Sequence, residues 1–158
     1  MASAVALTAF GGAAVLWHPA FHNNQLTASG RRVVAALGAA LLDGSLPTVP
    51  AARAAAFEGL LARTESLIQA LPRHSQAELA QLLSLLAHPG GRVALAGLHQ
   101  DWADAPVVSV QQSLQSMRTS SVSLRQQAYL ALHDILGSAY FSDASAWAHL
   151  GYPGPQII

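Results

Sequence analysis

Apolar residues recur at intervals of three and four along nearly the whole chain, and no stretch alternates apolar with polar residues as a half-buried strand does. The clearest stripe is Leu124, Ala128, Leu132, Ile135, Leu136 and Ala139, with Tyr129 and Tyr140 beside it. Side chains at this spacing share one side of a 3.6-residue helix, so burying them commits the segment to an amphipathic helix. The same spacing places Val33, Val34, Leu37, Leu41 and Leu42 on a helix from about Arg31 to Leu42, capped by Thr27 or Ser29 and stopped at Asp43-Gly44. Pro47 and Pro50 interrupt the chain before an Ala-rich helix over Ala51–Leu71, which Pro72 ends.

Ser75-Gln76-Ala77-Glu78 has the spacing of a capping box, and predicts a helix through Leu79, Leu82, Leu83, Leu85 and Leu86 to His88-Pro89-Gly90-Gly91. Gly91 to Asp104 reads as a short helix followed by a loop around Trp102. Val107–Met117 is helical by the spacing of Val110, Leu114 and Met117, and Thr119-Ser120-Ser121 breaks it and offers a fresh cap. Asp143 caps a last short helix through Trp147 and Leu150, closed by Gly151. The expectation is one all-α domain of five to seven helices over residues 31–158, behind an apolar, uncharged segment over residues 1–30, with no strand.

Composition narrows the function classes. Of 158 residues 52% are hydrophobic and only 10% charged, against about 25% charged in an ordinary soluble domain. Such apolarity excludes a disordered chain, and eight arginines against eight acids give no basic excess for a nucleic-acid partner. With no Cys there is no disulfide and no thiolate metal site. The first charged residue is Arg31. Ala2–Trp17 is shorter than the ~20 residues of a membrane span. It has the length of a secretory apolar region, without a basic start before it. It therefore reads as a leader remnant or an N-terminal helix, with membrane association through residues 1–17 a further use.

Seven histidines, at 18, 22, 74, 88, 99, 133 and 149, raise a metal site. Only His18 and His22 stand four apart, and the intervening Pro-Ala-Phe lacks the glutamate of a metalloprotease helix. His74 and His88 sit where caps and loops explain them. No strand-to-helix Gly-x-Ser-x-Gly elbow and no Gly-rich dinucleotide fingerprint occurs, so no catalytic, cofactor-binding or metal residue is assigned to this chain.

Two regions stand apart. Arg118 and Arg125 flank the helix break in a charge-poor chain, and the tail from Ala139 through Trp147 to Pro155 gathers aromatics before a proline-fixed end. Aromatics and Arg dominate interface energetics. The tail, Ala139, Tyr140, Ser142, Asp143, Trp147, Gly151, Tyr152, Pro153, Gly154 and Pro155, follows Leu124-Arg125-Gln126-Gln127-Ala128-Tyr129 and Leu132. Over these last 45 or so residues the chain resembles the gluconate 2-dehydrogenase subunit 3-like family; before them the likeness is compositional.

That resemblance implies a small helical subunit, with no cofactor of its own, of an FAD-dependent dehydrogenase. The large subunit, of the glucose–methanol–choline oxidoreductase type, would hold FAD and oxidise an alcohol, sugar or sterol-like substrate. A c-type cytochrome would accept the electrons. A twin-arginine leader and a periplasmic location are also implied, although Arg31-Arg32 follows the apolar run here instead of preceding it. On this reading Arg118, Arg125, Tyr140, Trp147, Tyr152 and Pro153 form or support the partner interface. The rival expectation is a periplasmic or membrane-surface helical protein binding an apolar ligand in an aromatic-lined pocket.

Overall fold

A computed structural model of the chain describes residues 19–147, the side chain of Ser145 excepted. The all-α expectation holds. The helices are α1 (Ala28–Leu41), α2 (Pro50–Ala70), α3 (Arg73–Ala87), the single turn α4 (Pro89–Gly91), α5 (Val107–Arg118), α6 (Ser123–Phe141) and the short α7 (Ala144–Trp147).

Local chemistry explains most of the boundaries. Thr27 is extended and its hydroxyl oxygen accepts the Gly30 N–H at 3.3 Å, so α1 begins three residues before Arg31. Pro50 occupies the first turn of α2, where its missing N–H is not needed. The capping box expected at Ser75–Glu78 does not form. α3 starts three residues earlier, behind Pro72, whose carbonyl already accepts the Gln76 N–H at 3.0 Å. Ser75 instead contacts the His74 ring. Likewise the break before α6 is where the hydroxyl residues put it, but Val122 holds the cap position with no side-chain cap. Ser120 accepts the Val122 N–H within the turn.

The expectation of no strand is corrected by a small hairpin. Phe21–His22 (β1) pairs antiparallel with Gln25–Leu26 (β2), in the register Phe21 to Leu26 and His22 to Gln25. Its two-residue loop, Asn23-Asn24, has φ of 48° and 63°. Two consecutive left-handed residues are what a type I′ loop requires, and Asn is the side-chain-bearing residue that tolerates them best. The hairpin is fixed to the body by Ala20 N–H to Ser84 Oγ at 2.9 Å and Leu26 N–H to Glu65 Oε1 at 3.0 Å. Gln69 adds a bond to the Asn24 carbonyl at 2.7 Å. Ala20 and Leu26 are buried in the main core, so the described part of the first thirty residues is built into the helical body.

Between α4 and α5 the chain makes a π-helical turn over Arg92–Ala96 and stops at Gly97, whose φ is +68°. Gly91 is required here by space, because a Cβ would lie 2.1 Å from the Leu85 carbonyl oxygen. The loop that follows buries Trp102, with its indole N–H on the Leu86 carbonyl at 2.7 Å.

The main core joins Val33, Val34 and Leu37 of α1, Ile68 of α2, Leu82, Leu83 and Leu86 of α3, Val110, Leu114 and Met117 of α5, and Leu132 and Leu136 of α6. A smaller cluster of Leu42, Leu46, Leu60, Ala139, Tyr140 and Ala146 closes the end where α6 turns into α7.

Candidate interaction surfaces

α6 is the long axis of the candidate surfaces. Its stripe divides in two: Ala128, Leu132, Leu136 and Ala139 enter the core, while Leu124 and Ile135 are only half-buried. At its C-terminal end, free carbonyls must find donors outside the helix. Arg63 of α2 donates from Nε to the Ala139 carbonyl at 2.6 Å and from its guanidinium to Asp143 at 2.8 Å. The Trp147 indole N–H takes the Phe141 carbonyl at 2.7 Å.

Tyr140 is buried, and its hydroxyl donates to the Ser45 carbonyl across the second cluster. Burial pushes its phenol above the ordinary value, with the Asp143 charge adding to the rise and Arg63 opposing it. Tyr140 therefore supports the surface from inside. Trp147 is half-buried and bonded to the carbonyl of Phe141, whose side chain is exposed.

The two arginines at the other end of α6 differ from each other. Arg125 donates from Nε to the Leu95 carbonyl at 2.7 Å and contacts Ser116 Oγ at 3.1 Å, so it satisfies the end of the π-helical turn. Arg118 is exposed in the last turn of α5, with Gln115 as its neighbour at 3.1 Å. There its charge also suits the helix dipole. Arg125 and Tyr140 are separated by roughly 22 Å along α6 at 1.5 Å per residue. The structure thus brings Tyr140 and Trp147 together and holds Arg125 apart from them. Tyr152 and Pro153 lie outside the described residues, as do His18, His149 and the apolar run over residues 1–17.

Three features were not read from sequence. Arg92 is buried, and its guanidinium donates to the Leu98 and His99 carbonyls and to Asp101 at 3.2–3.3 Å. Asp101 also accepts the Ala103 N–H at 3.2 Å. That bond, aided by the charges of Arg92 and Arg32 and opposed by desolvation, holds its carboxyl below the ordinary value. The Arg63 staple is the second; an Arg inside an Ala-rich helix of a charge-poor chain was its one signal.

The third is a groove of about 800 Å³ between the C-terminal half of α2, the N-terminal half of α3 and α6. Leu67, Leu71, Leu79, Leu82, Leu124 and Ile135 are among its lining residues, and no aromatic side chain is, among the described residues. Glu78, expected as a capping residue, lines it instead, opposite Asp134.

His22 stands exposed on β1, not on a helix, and His88 caps α4 by accepting the Gly90 N–H at Nδ1. Among the described residues no three His, Asp or Glu side chains converge on one point, and no helix is long and apolar enough to cross a membrane. Comparison of the chain with protein-family models, curated proteins and solved structures finds no match.

Proposed function

We propose that this chain is a non-catalytic small subunit that binds and stabilises an FAD-dependent dehydrogenase of the glucose–methanol–choline type, and escorts it for export to the periplasm. The observation that carries this reading is the order of residues in the tail, from Ala139-Tyr140 through Ser142-Asp143 and Trp147 to Gly151-Tyr152-Pro153-Gly154-Pro155. FAD would belong to the large subunit, which would oxidise an alcohol, sugar or sterol-like substrate and pass electrons to a c-type cytochrome. Support from the fold is the position of Trp147 and exposed Phe141 over a stapled helix end, where an aromatic anchor is held in place before a partner arrives. Arg118 adds an exposed charge in the last turn of α5, before the break that leads into α6.

Co-expression with an FAD-dependent large subunit of the glucose–methanol–choline type from the same genome, followed by pull-down, tests the reading. A stable 1:1 or higher complex is expected, and a chain that stays monomeric beside that protein overturns it. Trp147→Ala should weaken the complex by roughly tenfold or more, while the thermal midpoint of the isolated chain moves by only a few degrees. Equal loss of both would make Trp147 a packing residue alone.

The rival reading, a binding protein for an apolar ligand, draws on the groove between α2, α3 and α6. Its aliphatic lining suits an alkyl chain and departs from the aromatic pocket expected of it. Native mass spectrometry of the purified chain decides this reading, which requires a co-purifying lipid-sized mass.

A further inference from the structure

The groove between α2, α3 and α6 has a defined shape and charge. Its α6 wall, from Leu124 to Ser138, is roughly 21 Å long at 1.5 Å per residue. The groove measures about 800 Å³. An amphipathic helix laid into a groove inserts its apolar half against aliphatic walls of this kind. Leu130, 55% exposed on the rim, extends the aliphatic wall outward to meet such a helix.

Charge completes the description. Most acids of this chain are engaged: Glu58 and Glu65 with Arg31, Asp101 with Arg92 and Arg32, Asp143 with Arg63, and Asp43 with Gln111. The two carboxylates of the groove have no arginine against them. Glu78 on α3 makes no ion pair among the described residues, and Asp134 on α6 has only the adjacent His133 ring at 3.3 Å. No arginine lines the groove among the described residues. An occupant with an apolar face and basic residues flanking it satisfies both walls; an acidic one would be repelled.

We infer that this groove seats one amphipathic helix of the partner protein, about four turns long, with aliphatic residues at i, i+3 or i+4 and i+7, and with Arg or Lys placed against Glu78 and Asp134. This inference rests on the accessory-subunit reading and names a contact surface that the tail motif does not contain.

The test uses the full chain and that same large subunit, with affinity measured by titration at low and high salt. Ala131 is exposed on the α6 wall, so Ala131→Trp fills the groove from its surface without entering the core. Leu130→Glu is the second variant, should the first perturb folding; circular dichroism and thermal midpoint report on that. Each should weaken the complex roughly thirtyfold or more, as loss of a central anchor does. The double variant Glu78→Arg with Asp134→Arg should weaken it by about tenfold and remove much of the salt dependence.

Unchanged affinity in Ala131→Trp and Leu130→Glu overturns the groove while leaving the accessory-subunit reading in place. Absence of a complex with the unaltered chain overturns both. Self-association that Ala131→Trp abolishes would assign the groove to a second copy. Loss of amide protection along it on deleting residues 1–17 would assign it to this chain's own N-terminal segment. Either result also overturns the inference.

Discussion

Arg92 illustrates what a single charge does in a chain that has few. Its guanidinium is planar, permanently protonated and able to donate in several directions at once. It closes two loop carbonyls and one carboxylate around the π-helical turn. Arg63 and Arg125 perform the same service at other helix ends. No lysine could replace them geometrically, since an ammonium lacks the fork. Arg92→Ala should destabilise the fold by about 3 kcal/mol, because it leaves buried carbonyls without donors and opens a void. Urea denaturation checks this, and a loss below about 1 kcal/mol would show that water replaces the guanidinium. None of this was legible beforehand. Sequence marks an arginine as charged, but its role depends on which carbonyls tertiary packing leaves free.

Among the elements, the five long helices were legible because each has enough residues for a 3.6-residue period to be seen. Their starts were less so. A capping box at Ser75–Glu78 competed with Pro72, and the proline won because its carbonyl opens the helix three residues sooner. The hairpin was missed for a different reason: two-residue strands are too short to alternate, and only Asn23-Asn24 signalled the turn. That turn offers a sharp check. Asn24→Gly places the preferred residue in a left-handed position, and should raise stability by about 0.5 kcal/mol. Calorimetry would read this as an increase in thermal midpoint of a few degrees at most. A decrease would mean that the Asn24 side chain contributes more than its backbone conformation. The groove was illegible for a reason common to helical proteins, since period shows which side of a helix is apolar but not where neighbouring helices leave space. Of the residues expected to form or support an interface, Arg125 and Tyr140 make hydrogen bonds within the domain, and residue type alone does not foretell such contacts.

At the scale of the whole molecule, the low charge content is matched by economy of placement. Arg31, Arg32, Arg63 and Arg92 all meet acids, while Val49, Val108, Val122 and Leu130 are more than half exposed. Arginine does not titrate in any ordinary range, so the pH response of these ties comes from their carboxylates. Asp101 has its folded value depressed, chiefly by the Ala103 N–H and then by Arg92 and Arg32. Its contribution to stability is therefore present above the unfolded carboxylate value and is lost as pH falls through the folded one. Asp101→Asn should lower stability at neutral pH and flatten its decline below about pH 4. Thermal midpoints between pH 2.5 and 7 test this; an acid limb of unchanged steepness would place the titrating charge elsewhere. The effect is modest, because the Asp101 side chain is 43% exposed.

The ties that close the second cluster also set an order of events during synthesis. The Ser45 carbonyl waits for Tyr140, 95 residues later, and Arg63 waits for Asp143, 80 residues later. At about 5–20 residues per second, the ribosome needs roughly 5–20 s to deliver the second partner of the first pair. Over the later part of that interval, once Ala70 has been added, α2 is complete in sequence but lacks its cover, with Leu60 among the side chains left open. The second cluster therefore closes only once the last quarter of the chain has been made, which sets its closure late in the order of folding events.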